Sequence, residues 1–305
     1  MRVDMQAVDI RARLSIRARL AAVLPLTLFR RMLKTRLTGA GLIIVAGLLF
    51  CAAFADLIAP YDPVRFQSYA IANQGPSPEH LFGTDYIGRD ILSRVIFGSR
   101  VSLQVGVISV SIGLLLGVAL GVAAGFFGGR TDDVLMRFTD AIWAFPAMIL
   151  ALAITSVLGR GITNAMIAIG VVNIPFFARL ARASTLSARE LDYVMAARVL
   201  GASNLRLMAR HLLPNVAAPV IVQASLAVAT AIITEAALSF LGVGVQPPTP
   251  SWGQELRYGY QYMELNPSLA FFPGLAIFIT VLGFNFVGDG LRVALDPRLW
   301  QRGQG

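Results

Sequence analysis

Six apolar stretches constrain this chain more than any other feature, because they leave a lipid bilayer as the solvent in which it can fold. Crossing about 30 Å of hydrocarbon takes about 20 mainly apolar residues as a helix, which satisfies its backbone hydrogen bonds internally. The stretches lie near Gly39–Ala59, Val101–Phe127, Phe138–Leu158, Ile162–Ala181, Ala217–Leu241 and Ala270–Gly288. With 56% hydrophobic and only 14% charged residues, the chain between them supplies little material for a separate soluble domain. The predicted fold class is an all-α integral membrane protein with six transmembrane helices and both termini on one side.

A basic lead-in and the run Ala53-Phe54-Ala55 give the first stretch a rival reading as a cleaved signal peptide. Thirty-eight residues precede Gly39, too long a lead-in for that, so the stretch is read as a retained span. Orientation follows from Lys and Arg, which are held in the cytoplasm. With the N-terminus inside, 20 of the 26 basic residues are cytoplasmic; the other six are Arg65, Arg89, Arg94, Arg100, Arg160 and Arg257. Both termini are therefore expected in the cytoplasm. Residues 1–37 form a basic tail whose arginines and leucines alternate at helical spacing, suiting either an interfacial helix or a solvated topology signal. The formal charge of +9 is spread among apolar runs rather than gathered on one domain, which argues against nucleic acid as a partner.

Several chemistries are excluded by residue type. A Walker A loop needs Gly-Lys-Ser/Thr, and the only lysine is Lys34, which follows Leu33. His80 and His211 are the only histidines and fall on opposite sides of the membrane, so no HExxH zinc site forms, and no GxSxG elbow occurs. The single cysteine, Cys51, permits neither an internal disulfide nor a thiolate cluster. No catalytic or metal site is expected. Ionisable residues within the spans are few: Asp140 near an inner end, and Glu235, which lies about 27 Å beyond Ala217 at 1.5 Å per residue, near the outer face. That scarcity argues against the alternative of an ion-coupled secondary transporter. Glu235 suits a structural role at the outer lip or a contact with solute. Asn173-Ile174-Pro175 in the fourth span suits a kink facing a pathway or a purely structural one.

The longest internal cytoplasmic segment, residues 183–215, reads as helix, turn, helix. The first helix runs to about Leu200, and Gly201 can take the left-handed conformation that closes it. Ser203 can cap the next helix, Pro214 marks its end, and Ala196, Ala197, Gly201 and Ala202 keep the bend small. Outside the membrane, GTDYIGRD places Asp85, Arg89 and Asp90 before the second span, where they suit either contact with a soluble binding protein or a cap of local salt bridges. QPPTPSWG after the fifth span reads as a rigid outer loop with Trp252 at the interface.

At the cytoplasmic elbow the sequence resembles the permeases of binding-protein-dependent ABC importers, whose signature is an EAA triplet, a glycine four positions after the second alanine, and a later Leu-Pro. Here these positions hold Met195-Ala196-Ala197, Gly201 and Leu213-Pro214, with Met195 in place of the acidic residue. HLFGTDYIGRDILSRVIFGSRVSL, EAALSFLGVGVQPPTPSWG and NFVGDGLRVALDPRL extend the likeness to the dipeptide/oligopeptide/nickel permeases, and within them to the C-type subunit. The resemblance runs over about residues 38–299, leaving 300–305 as a C-terminal tail. It implies the type I ABC importer permease fold in a bacterial inner membrane. It implies docking of the elbow, through Asp192, Met195, Ala196, Ala197, Arg198, Gly201, Ala202 and Ser203, on an ATP-binding subunit. The expected partners are a second homologous permease in a heterodimer, two ATP-binding subunits and an extracytoplasmic solute-binding protein. This chain is expected to bind no cofactor itself, with ATP and magnesium on the partner subunits. The expected cargo is a di- or oligopeptide.

Overall fold

A computed structural model describes Met32 and residues 36–295. Most of the N-terminal tail and the C-terminal tail lie outside the described residues, and so does the expectation of an interfacial helix. The described chain is helical, with one isolated bridge between Thr84 and Asp90 as its only strand-like pairing. Its helices are α1 (Arg36–Ala53), α2 (Ala55–Ile58), α3 (Ile91–Phe127), α4 (Gly129–Trp143), α5 (Ala147–Leu158), α6 (Ile162–Arg189), α7 (Asp192–Val199), α8 (Asn204–Arg206), α9 (Leu213–Phe240), α10 (Trp252–Gln261) and α11 (Ser268–Leu295).

Among the described residues, four helical segments are long and apolar enough to cross a membrane: α3, α6, the continuous run Asn204–Phe240 and α11. The third expected span departs from its sequence reading. Instead of one helix over Phe138–Leu158, α4 and α5 meet at an 88° bend around Ala144–Pro146. Pro146 has no N–H, and extended backbone at this position ends α4 and starts α5. The first span also ends early, at Ala53, with the short α2 following Phe54. Pro214, expected to end a helix, instead lies in the first turn of α9, where a missing N–H costs least. Just before it, Leu207–Leu212 forms wider π-type turns, so that the Leu213 N–H reaches the carbonyl of Met208.

The bundle is built around α3 and α6. On α3 the side-chain-free positions Gly113, Gly117, Gly121 and Gly125 recur every four residues and so form one stripe. A Cβ at Gly113 would lie 2.7 Å from that of Asn173, one at Gly117 2.6 Å from the carbonyl oxygen of Ile174, and one at Gly125 2.9 Å from that of Arg182. At Gly121 the Ala178 carbonyl is closer still. Close backbone approach is the main source of helix association in lipid, where apolar side chains gain little from meeting each other. Gly170 of α6 returns the fit by admitting Ile112.

Outside the apolar core, α4 is fastened across α6 by two ion pairs. Asp132 meets Arg182 at 2.5 Å, and Asp140 meets Arg179 at 2.7 Å. The aspartates are eight residues apart on α4 and the arginines three apart on α6, so the two helices cross steeply.

Candidate functional site

The elbow over residues 192–213 is closed by its own backbone. Gly201 has φ +82°, its N–H donates to the carbonyl of Arg198, and the Ala202 N–H donates to that of Ala197. These two bonds satisfy carbonyls left free at the end of α7, as expected of a left-handed glycine closure. Ser203 then caps α8, its hydroxyl accepting from the Arg206 N–H at 3.4 Å. Beneath the turn, Val194, Leu207 and Leu212 pack with Phe126 of α3 and Ala188 of α6 in a buried apolar cluster. The Arg198 guanidinium lies 5.5 Å from the Phe126 ring centre, and Arg189 donates to the carbonyl of Gly125 at 2.9 Å. Asn215 reaches both the Tyr193 hydroxyl and the His211 carbonyl, binding α7 to the root of α9. The elbow is thus continuous with the adjoining ends of α3, α6 and α9.

Its tip is apolar. Val199 and Leu200 are 87% and 86% exposed at the tip, with Leu205 and Met195 also exposed nearby. Asp192, Ala196, Arg198, Gly201 and Ser203 share the exposed surface, whereas Ala197 and Ala202 are half-buried against the cluster below. Val199, Leu200 and Leu205 were missed by sequence reasoning. An apolar pair beside a helix-ending glycine, where a turn would ordinarily be polar, is the signal that marks them.

On the opposite face, Asp85, Arg89 and Asp90 are brought together, but their side chains are buried. Asp85 accepts from the N–H groups of Ile87 and Arg89 and pairs with the Arg89 guanidinium at 2.6 Å. Asp90 caps α3, accepting from the Ser93 N–H and hydroxyl, and its other oxygen lies 3.0 Å from His80 Nδ1. Of the two readings open for these residues, burial supports the cap of local salt bridges; direct contact with a binding protein would require exposed side chains. Asp90→Ala is expected to cost about 1 kcal/mol through the lost cap, lowering the thermal midpoint of the detergent-solubilised protein without abolishing folding. Above the cap, Tyr86 packs with Tyr258 and Tyr262. Burial, with Tyr258 beside it, pushes the Tyr86 phenol above its usual range.

Trp252, expected as an interfacial anchor, is packed inside the bundle rather than exposed. It is buried, its indole N–H donates to the Val95 carbonyl at 2.8 Å, and its ring lies on Gly98. Nearby, Arg94 of α3 and Glu255 of α10 form a fully buried ion pair at 2.6 Å, and Arg94 also donates to the Pro63 carbonyl. Sequence reasoning did not single out this pair, which joins residues 161 apart. Glu235 is buried at the end of α9; it accepts from the Ser239 hydroxyl at 2.6 Å, and that hydroxyl accepts from the Val245 N–H. Asn173 lies against Gly113 of α3, its amide donating to the Ile169 carbonyl within its own helix, and Pro175 is buried within α6. The hydrogen bonds of Asn173 and Glu235 thus close within their own helices, and the buried Glu235 Oε2 has no partner among the described residues.

This arrangement has the fold of ABC transporter permease domains. It resembles the MetNI methionine ABC transporter in inward-facing conformations, with a TM-score of 0.55 at 20% identity over 67% of this chain and 96% of the other. An amino acid ABC transporter crystallised with histidines superimposes with a TM-score of 0.51 at 16% identity, covering 66% and 94%. The chain belongs to the binding-protein-dependent transport system inner membrane components, whose profile matches residues 117–301. Residues 27–76 match the N-terminal TM domain of oligopeptide transport permease C. Among its relatives are the dipeptide transport system permease protein of Alkalihalophilus pseudofirmus, 45% identical over 89% of both chains, and the glutathione transport system permease protein of Pectobacterium atrosepticum, 42% identical over 89% of this chain and 90% of that one. It is thus a multi-pass membrane permease of the ABC importer type.

Proposed function

We propose that the chain forms half of a translocation pathway for di- or oligopeptides, or a related small solute, in the bacterial inner membrane. The relatives named for dipeptide and glutathione transport support that class of cargo. The six spans would be α1, α3, the bent pair α4 and α5, α6, the run from α8 through α9, and α11, with both termini cytoplasmic in keeping with the basic residues. A second permease of the same family completes the pathway, a binding protein delivers solute to the outer cap, and two ATP-binding subunits carry ATP and magnesium. Catalysis lies on those subunits.

The observation that carries this reading is the elbow: an exposed apolar tip on a turn closed by hydrogen bonds and seated on the inner ends of three spans. In water such a tip is unfavourable, so it fits a cleft on a partner ATPase. Burying a leucine is worth about 1.5–3 kcal/mol. Met195 leaves the triplet without an ion pair, so docking rests on Val199, Leu200, Leu205 and the shape of the turn, with Asp192 and Arg198 flanking it. Movement of the ATPase would reach the spans through the buried cluster under Val194.

Leu200→Asp is therefore expected to lower the affinity for the ATP-binding subunits about tenfold to a hundredfold and to reduce ATP-driven uptake in vesicles. Gly201→Asn, which tolerates the left-handed conformation, is expected to retain most of both. Unchanged copurification and uptake with Leu200→Asp would sink the docking role.

A further inference from the structure

The break between α4 and α5 exposes bare backbone on the outside of the chain. Ala144, Phe145, Pro146 and Ala147 are all exposed. No side chain caps the start of α5, and the N–H groups of Ala147, Met148 and Ile149 make no hydrogen bond among the described residues. In the proposed topology, with Ile162 at the outer boundary of its span, the break is also deep. Trp143, at its edge, stacks on Phe176 with ring centres 6.3 Å apart. Phe176 lies fourteen residues along α6 from Ile162, or about 21 Å at 1.5 Å per residue, which is within a hydrocarbon layer about 30 Å thick.

A second observation points the same way. Arg179 lies 4.4 Å over the Trp143 ring and pairs with Asp140 at 2.7 Å, and both charged side chains are about half exposed. Lipid tails can hydrate neither an open helix start nor a half-exposed ion pair, so irregular backbone at this depth persists only against protein or a water-filled cavity. The residues first considered for the pathway, Asn173, Pro175 and Glu235, offer no comparable open polar surface.

We infer that the α4–α5 break, with Trp143, Phe145, Arg179 and Asp140, lines the aqueous pathway between this chain and its partner permease, near the cytoplasmic end. The inference rests on the transport reading above. It explains why the third span is broken: the bend brings aromatic faces and a neutralised ion pair to the passage. Such a surface suits peptides of varied sequence, because aromatic faces contact many side chains and a paired charge neither traps nor repels a terminus strongly.

The test uses the assembled transporter in membrane vesicles with Cys51→Ala as background. Phe145→Cys and Ala147→Cys are treated from the cytoplasmic face with a membrane-impermeant hydrophilic thiosulfonate, and Ile43→Cys on the exposed apolar face of α1 serves as the lipid-facing reference. Phe145→Cys or Ala147→Cys is expected to label about tenfold or more faster than Ile43→Cys, with a rate that changes when the transporter is trapped with ATP and vanadate. Labelling of both no faster than Ile43→Cys, with and without trapping, overturns the inference and places lipid or the partner permease over the break. ATP-driven uptake by the Cys51→Ala transporter is scored separately; its absence would count against the transport reading and not against the lining. Copurification of the partner subunits identifies any variant that fails to assemble, and the remaining cysteine position then decides the outcome.

Discussion

Arg94→Met is expected to cost the folded protein about 3–5 kcal/mol, and the double variant Arg94→Met with Glu255→Leu to recover most of that loss. Both partners are fully buried. Removing the arginine alone leaves a carboxylate with no water and no counter-charge, which is the expensive outcome. Replacing both removes the desolvation cost along with the attraction. The pair is also incompletely satisfied, because the Glu255 Oε2 has no hydrogen-bond partner among the described residues. Monodispersity and thermal unfolding of the detergent-solubilised assembly are the measurements. A single variant as stable as the parent would mean that Arg94 and Glu255 are hydrated and that α10 is not held to α3 by this contact. A double variant as damaged as the single would transfer the role to the Arg94 bond with Pro63.

Gly121→Leu is expected to be comparably severe, because its side chain must enter space already occupied by the backbone of α6 at Ala178. Overpacking a fitted core costs about 1–3 kcal/mol where neighbours can shift. Here the obstruction is a carbonyl oxygen in a long helix, with Ala181 and the Arg182 N–H close behind, so the interface must separate along its length. Expression with intact membrane insertion but loss of the monodisperse assembly is the expected result. Gly47→Leu, on the open face of α1 where an added Cβ meets nothing, is the matched substitution and is expected to be tolerated. Equal behaviour of the two variants would show that the stripe on α3 does not determine the packing.

The long spans were legible in the sequence because lipid imposes a simple requirement: enough consecutive apolar residues to satisfy length and backbone together. Ile162 and Phe240, at one end each of α6 and α9, fall within a residue of their expected places, whereas α3 begins ten residues before Val101 and α6 runs eight residues past Ala181. The elbow was legible for a different reason. Gly201 and Ser203 act on their own neighbours, and local hydrogen bonding is encoded locally. What could not be read depends on contacts between distant residues. Asp85, Arg89 and Asp90 look like surface charge until the folded cap closes over them. Trp252 looks like an interfacial anchor until Gly98 is found beneath its ring. The third span looked continuous because hydropathy over Phe138–Leu158 does not register direction, and Pro146 alone does not distinguish a kinked helix from a right-angled bend.

The length of α3 has a mechanical consequence. Its 37 residues make a rod about 56 Å long, nearly twice the hydrocarbon thickness. Asp90 and Arg94 engage the outer cap at one end, while Phe126 meets the elbow at the other. A tilt of about 5° displaces one tip of such a rod by about 5 Å relative to the other. A rigid tilt of α3 would therefore carry a small rotation at the elbow end into a displacement of several ångströms at the cap, without any change in secondary structure between them.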